Sequence, residues 1–226
     1  MKKLKIFNRR LSFAAIGSIL ILSIICCSTS IQTQTKFGVK AGVSTFGSNV
    51  SMYKFSQDGI RYTADIHFIG NTNKKSIGVF WVKDFDFLFL QVDALYGAYQ
   101  SQFLVDLLSQ NRDNGTLDYF DVKVVDLSIL AGYNFGSFDI GVGPVFHNRI
   151  EVATSFSEYD FFEEKGKRLS AGFQLSAAYT KGPFRFQVKC EDYFSKPGEF
   201  LGFTNGAKNK FSKRLHAFSF EVGMGF

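Results

Sequence analysis

The last ten residues constrain the fold more tightly than any other stretch. From Ala217 to Phe226 the even positions are Phe218, Phe220, Val222, Met224 and Phe226; the odd positions are Ala217, Ser219, Glu221, Gly223 and Gly225. Successive side chains of a strand point to opposite faces, so the segment predicts a strand with one apolar face and one small or polar face. Six other stretches alternate in the same way: 37–44, 90–99, 125–133, 139–146, 170–179 and 184–191. Ser76–Lys83 reads as an eighth strand, but its facing is ambiguous because Phe80 and Trp81 place an aromatic on each side. Turn formers sit at Lys83–Asp86, Gly136–Ser137 and Lys181–Pro183, whereas long connections cover Gly47–Lys75, Leu104–Tyr119, Thr154–Arg168 and Phe194–Phe211. Short turns at one end and long loops at the other are the asymmetry of outer-membrane barrels. The expected fold is an all-β, eight-stranded antiparallel up-and-down transmembrane β-barrel, with both termini on the short-turn, periplasmic side.

The rest of the chain agrees with an apolar exterior. It holds 28 Phe, nine Tyr and 21 Gly but only three Pro, and no apolar run after residue 30 is long enough for a membrane helix. In hydrocarbon every backbone polar group must be paired inside the protein, and a closed barrel leaves no edge. Eight strands enclose room for side chains only. Glycines on the expected inner face (Gly38, Gly42, Gly132, Gly141, Gly143, Gly172, Gly223, Gly225) would make space for larger neighbours there.

Residues 1–30 read as a signal peptide, and 31–226 as the barrel domain. Lys2, Lys3, Lys5, Arg9 and Arg10 precede an uncharged apolar run from Leu11 to Cys27, followed by Ser28, Thr29 and Ser30. Lipidation at Cys26 or Cys27 is disfavoured because Ile25, not a small residue, precedes the pair. With those five cations removed, the mature chain has 21 Lys and Arg against 20 Asp and Glu, so its charge gives no ground for nucleic-acid binding. Cys190 is the one cysteine left, which excludes an internal disulfide.

Several segments resemble the PorT-like, or OmpA-like, small outer-membrane β-barrels of the porin family. Thr35-Lys36-Phe37-Gly38-Val39-Lys40-Ala41-Gly42 looks like that family's first strand. The segment 90–96 (LQVDALY) is similar to its L-Q-P-E-L-L-Y stretch, and 125–133 (VDLSILAGY) to its L-E-I-P-L-L-x-K-Y stretch. Val92 and Ser128 stand where the family often has Pro, and Gly132 where it has Lys. The resemblance covers most of residues 36–226. It implies an outer-membrane location in a Gram-negative bacterium. It also implies insertion by the barrel-assembly machinery, which would read Phe218, Phe220, Val222, Met224 and Phe226 as its C-terminal signal. It implies no single activity.

Parity gathers charge inside the barrel: Lys40, Asp93, Asp126, Asp139, Arg185, Lys189, Glu191 and Glu221. Buried charges must be paired, so the expectation is a neutralised structural plug, with Lys40 meeting Glu221 where the first strand closes on the last. Of the three histidines, His147 is expected to face inward and His216 outward, while His67 falls in a loop. His147 and Ser219 are the inward candidates for hydrolase chemistry, and no acid is expected at the height of His147. The acidic set Glu158, Asp160, Glu163 and Glu164 reads as solvated loop charge. The basic set Lys208, Lys210, Lys213 and Arg214 also reads so, or as a contact for lipopolysaccharide and outer-membrane lipid heads. No metal, cofactor or catalytic set is expected. The chain reads as a monomeric, non-enzymatic barrel with an envelope-structural or surface-contact role. A small-solute pore or transport accessory is the first alternative, and an outer-membrane lipid-modifying enzyme the second.

Overall fold

The computed structural model describes residues 33–47, 51–57, 60–68, 72–107, 116–155, 162–195, 199, 202 and 215–226. The signal peptide and Cys26–Cys27 lie outside them, as do Glu158, Asp160 and the basic set at 208–214. Ten strands are present: β1 (Thr33–Gly47), β2 (Ser51–Gln57), β3 (Ile60–Phe68), β4 (Thr72–Phe85), β5 (Leu88–Leu107), β6 (Thr116–Phe135), β7 (Phe138–Thr154), β8 (Leu169–Lys181), β9 (Phe184–Tyr193) and β10 (His216–Gly225).

Eight of them close into a ring, in the order β1, β4, β5, β6, β7, β8, β9, β10 and back to β1. The registers are antiparallel: Ala41 opposes Val222 at the closing seam, Val92 opposes Ile129, and Leu175 opposes Cys190. The eight-stranded antiparallel barrel is therefore the fold.

Two-residue turns join β4 to β5, β6 to β7 and β8 to β9. Their first residues, Asp86, Gly136 and Gly182, have φ of 61°, 80° and 59°. Positive φ at the first turn position matches the right-handed twist of the flanking strands, which is why glycine stands at two of the three. Backbone bonds tie neighbouring hairpins together at this end, among them Gly225 N–H to the Pro183 carbonyl (2.7 Å) and Phe226 N–H to the Phe37 carbonyl (2.8 Å).

The stretch 47–75, expected as a loop, is corrected: it holds the hairpin of β2 and β3. β3 pairs with the far end of β5, from Phe68 opposite Phe103 to Ala64 opposite Leu107. Within the stretch 104–119, residues 104–107 and 116–119 are strand, because β5 and β6 run 20 residues each, against 10 for β9 and for β10. One side of the wall thus projects well beyond the other, and β2 forms a free edge among the described strands.

The exterior is apolar in a band. Ile77, Val79, Leu127, Ile129, Val142, Leu175, Phe186 and Phe220 are all exposed. Monomers in water seldom expose more than a few hundred Å² of contiguous apolar surface, whereas this band runs from strand to strand round the wall. Aromatic rings border it at the short-turn end, where Phe87 stacks on Tyr133 (6.5 Å between centroids) and Phe138 packs on Tyr179 (4.8 Å). Towards the other end, exposed polar pairs bound it: Lys123 with Glu151 (2.8 Å) and Gln100 with Asp121 (2.9 Å). On β6 the apolar outward run is Val125 to Tyr133. That is roughly 27 Å of strand and, at ~40° tilt, about 21 Å of height, close to the ~25 Å apolar band of outer-membrane barrels.

Candidate functional site in the barrel lumen

Alternation sends every second side chain inward, and in an eight-stranded ring those side chains must fill the interior. They do so in layers. At the short-turn end two phenylalanines reach in from β4 and β5. A Cβ on Gly223 would come within 2.8 Å of the Phe80 ring, and one on Gly141 within 2.6 Å of Phe89. The inward glycines of β10 and β7 are therefore recesses that receive these rings. Arg185 binds Asp139 and donates to Thr180 Oγ1 (3.1 Å), with its guanidinium 5.7 Å from the Phe89 centroid.

The middle layer is a four-charge cluster. Lys40 Nζ lies 3.0 Å from Asp93 and 3.1 Å from Glu221. Lys189 Nζ lies 2.7 Å from Asp93 and 2.9 Å from Glu221. Amides complete its shell: Gln91 donates to Asp93 (2.7 Å), Lys40 to Gln187 (2.7 Å), and Gln187 to Ser176 (2.5 Å). Two positive and two negative charges, all buried, cancel one another. Lys189 is on β9 and Asp93 on β5, strands on opposite sides of the eight-membered ring. Their contact crosses the lumen.

Nearer the long connections, Lys74 and His147 flank Asp126, one on each carboxylate oxygen. Tyr193 donates to Glu191 (2.5 Å). The rings of Phe46, Tyr99 and Tyr193 surround His147 at 6.0, 6.4 and 5.6 Å. Above them Arg149 donates to the Gly166 carbonyl, and Phe162 packs on Phe120 (5.4 Å). Gly166 touches Gly202, whose φ is +91°, so two chain segments meet backbone to backbone over this side of the mouth.

All eight charged residues read from parity point inward and are buried. Sequence reasoning missed Lys74, which lies in a stretch assigned to a loop, and it missed the amides. It also expected no acid at the height of His147; the β6–β7 register places Asp126 directly opposite, which corrects that expectation. Ser219, the other inward candidate, donates to Ser44 (2.8 Å) instead. His216 faces outward, 62% exposed, and no side-chain geometry is described for His67. Among the described residues no cluster of three or more His, Cys, Asp or Glu could hold a metal.

No family model matches the chain, and no curated protein matches it. Among solved structures it is similar to the translocator domain of the autotransporter NalP from Neisseria meningitidis. Identity is 13%, coverage is 95% of this chain and 98% of that one, and the TM-score is 0.38.

Proposed function

We propose that the chain is a monomeric integral barrel of a Gram-negative outer membrane, closed to solutes, that serves the envelope through the surface above its rim. The observation that carries closure is the Lys189–Asp93 contact between opposite walls, held within a neutral cluster. A pore needs a continuous wet path, and here paired side chains occupy the middle of a ring already too narrow for one. Membrane residence is supported by the apolar band between aromatic and polar borders, and by the resemblance to PorT-like and OmpA-like barrels. On the same reading the outward residues of β10 act as the signal to the assembly machinery, and lipids with lipopolysaccharide surround the wall. The contact surface is the sheet of β2, β3 and the ends of β5 and β6, which stands clear of the apolar band.

Planar-bilayer recording on the purified, folded protein tests closure. The expected record is flat at all voltages below breakdown. Reproducible unitary conductance would replace the closed barrel with the small-solute pore.

A further inference from the structure

We propose that the outer wall of β8, β9 and β10 carries a specific lipid site, in which one acyl chain lies over Cys190 and a primary ammonium head group meets Asp192. The wall is hollowed there to a volume of about 560 Å³. Two register rows build the hollow. Leu175, Cys190 and Phe218 form one, and Phe173, Asp192 and His216 form the other, two residues nearer the long connections. Phe173, Leu175 and Phe218 are each more than half exposed and stand around the shorter side chain of Cys190, which is exposed as well. A short side chain ringed by long ones leaves a depression in the wall. Phe194 extends the rim, its ring 5.4 Å from that of Phe173 and at 84° to it. At the head of the hollow Asp192 and His216 oppose one another, with Nδ1 3.4 Å from the carboxylate. Asp192 is next to last in β9 and His216 is first in β10. The pair therefore stands at the outer border of the apolar band, as Lys123 and Glu151 do on β6 and β7.

Position decides the occupant. The floor of the hollow belongs to the apolar band, so what reaches it is a lipid chain; the inference rests on the membrane-embedded wall proposed above. In hydrocarbon no hydrophobic drive sorts one chain from another, so selectivity has two sources: dispersion contacts with the concave wall, and the charge at its head. That charge is a carboxylate, which accepts hydrogen bonds and donates none. It attracts a head group bearing an ammonium with its N–H donors, and it disfavours a head group whose net charge is negative.

The test uses the full mature chain folded in detergent, with heat-modifiable gel mobility as the check on folding. Equal amounts of palmitoyl-oleoyl phosphatidylethanolamine and phosphatidylglycerol are added, and bound lipid is read by native mass spectrometry. One phosphatidylethanolamine is expected to stay on each chain, favoured about threefold over phosphatidylglycerol, the size expected of one half-exposed charge pair. Asp192→Asn is expected to erase that preference while a lipid still binds. Cys190→Phe fills the hollow and is expected to cut retention of both lipids about fivefold, the worth of roughly ten lost dispersion contacts. Should Cys190→Phe fail to fold, Cys190→Leu carries the same expectation in direction. No retained lipid, equal retention of the two by the native chain, or retention unchanged in the folded Cys190 variant would overturn the site. Quenching of Trp81 by brominated lipid tests the membrane wall separately. Strong quenching with no retained lipid removes the site and leaves the membrane barrel standing.

Discussion

Glu221 is buried and ion-paired with two lysines, so its removal should be felt strongly. Glu221→Leu leaves Lys40 and Lys189 sharing Asp93 alone, and breaking a buried pair typically costs about 3–5 kcal/mol. The heat-induced mobility shift in detergent should move to clearly lower temperature. Adding Lys189→Met restores neutrality and should recover much of that loss; an unchanged transition in the single variant would mean the cluster contributes nothing. Packing in the layer below gives a second test at this scale. Gly223→Ala should strain the Phe80 ring by about 1–3 kcal/mol, and Phe80→Ala should cost about 3–5 kcal/mol on its own. The double variant should cost less than the two together, since the ring that the new methyl meets is gone. Strict additivity in a double-mutant cycle would refute the recess. Parity alone revealed the lumen charges on six strands. It did not reveal Lys74, because at Asn73–Ser76 both faces are polar, and Phe80 and Trp81 leave no apolar side to fix the phase.

The elements divide by what their surroundings demand of them. Within the apolar band a strand has hydrocarbon-like surface on one side and packed lumen on the other, and the contrast writes period-two alternation into the sequence. Residues 99–102 (YQSQ) of β5 show no apolar side, so their strand character is hidden in the sequence. The hairpin of β2 and β3 lies within the stretch 47–75 expected as a loop. Neither strand takes part in the ring, whose seam runs directly from β1 to β4. Replacing residues 48–71 with a short Gly/Ser linker should therefore leave barrel formation intact, with heat-modifiable mobility preserved and only the projecting sheet lost. Failure to fold would show that the hairpin is needed to set the register of β5.

At the scale of the molecule, the closed ring, the filled lumen and the apolar exterior are one solution to one problem. Backbone groups have partners all the way round, and buried charges have partners within. What remains is an exterior suited to lipid. The ring order was legible from strand count and turn lengths, whereas the pairing of Asp126 with His147 needed the register itself, which no single segment encodes. Trp81 provides the most direct measurement, being the sole tryptophan and an outward residue of β4 opposite Val92, within the apolar band. In vesicles containing lipids brominated along their acyl chains, its fluorescence should be strongly quenched, while aqueous iodide should have little effect. Quenching by iodide with indifference to the bromines would contradict the membrane-embedded barrel.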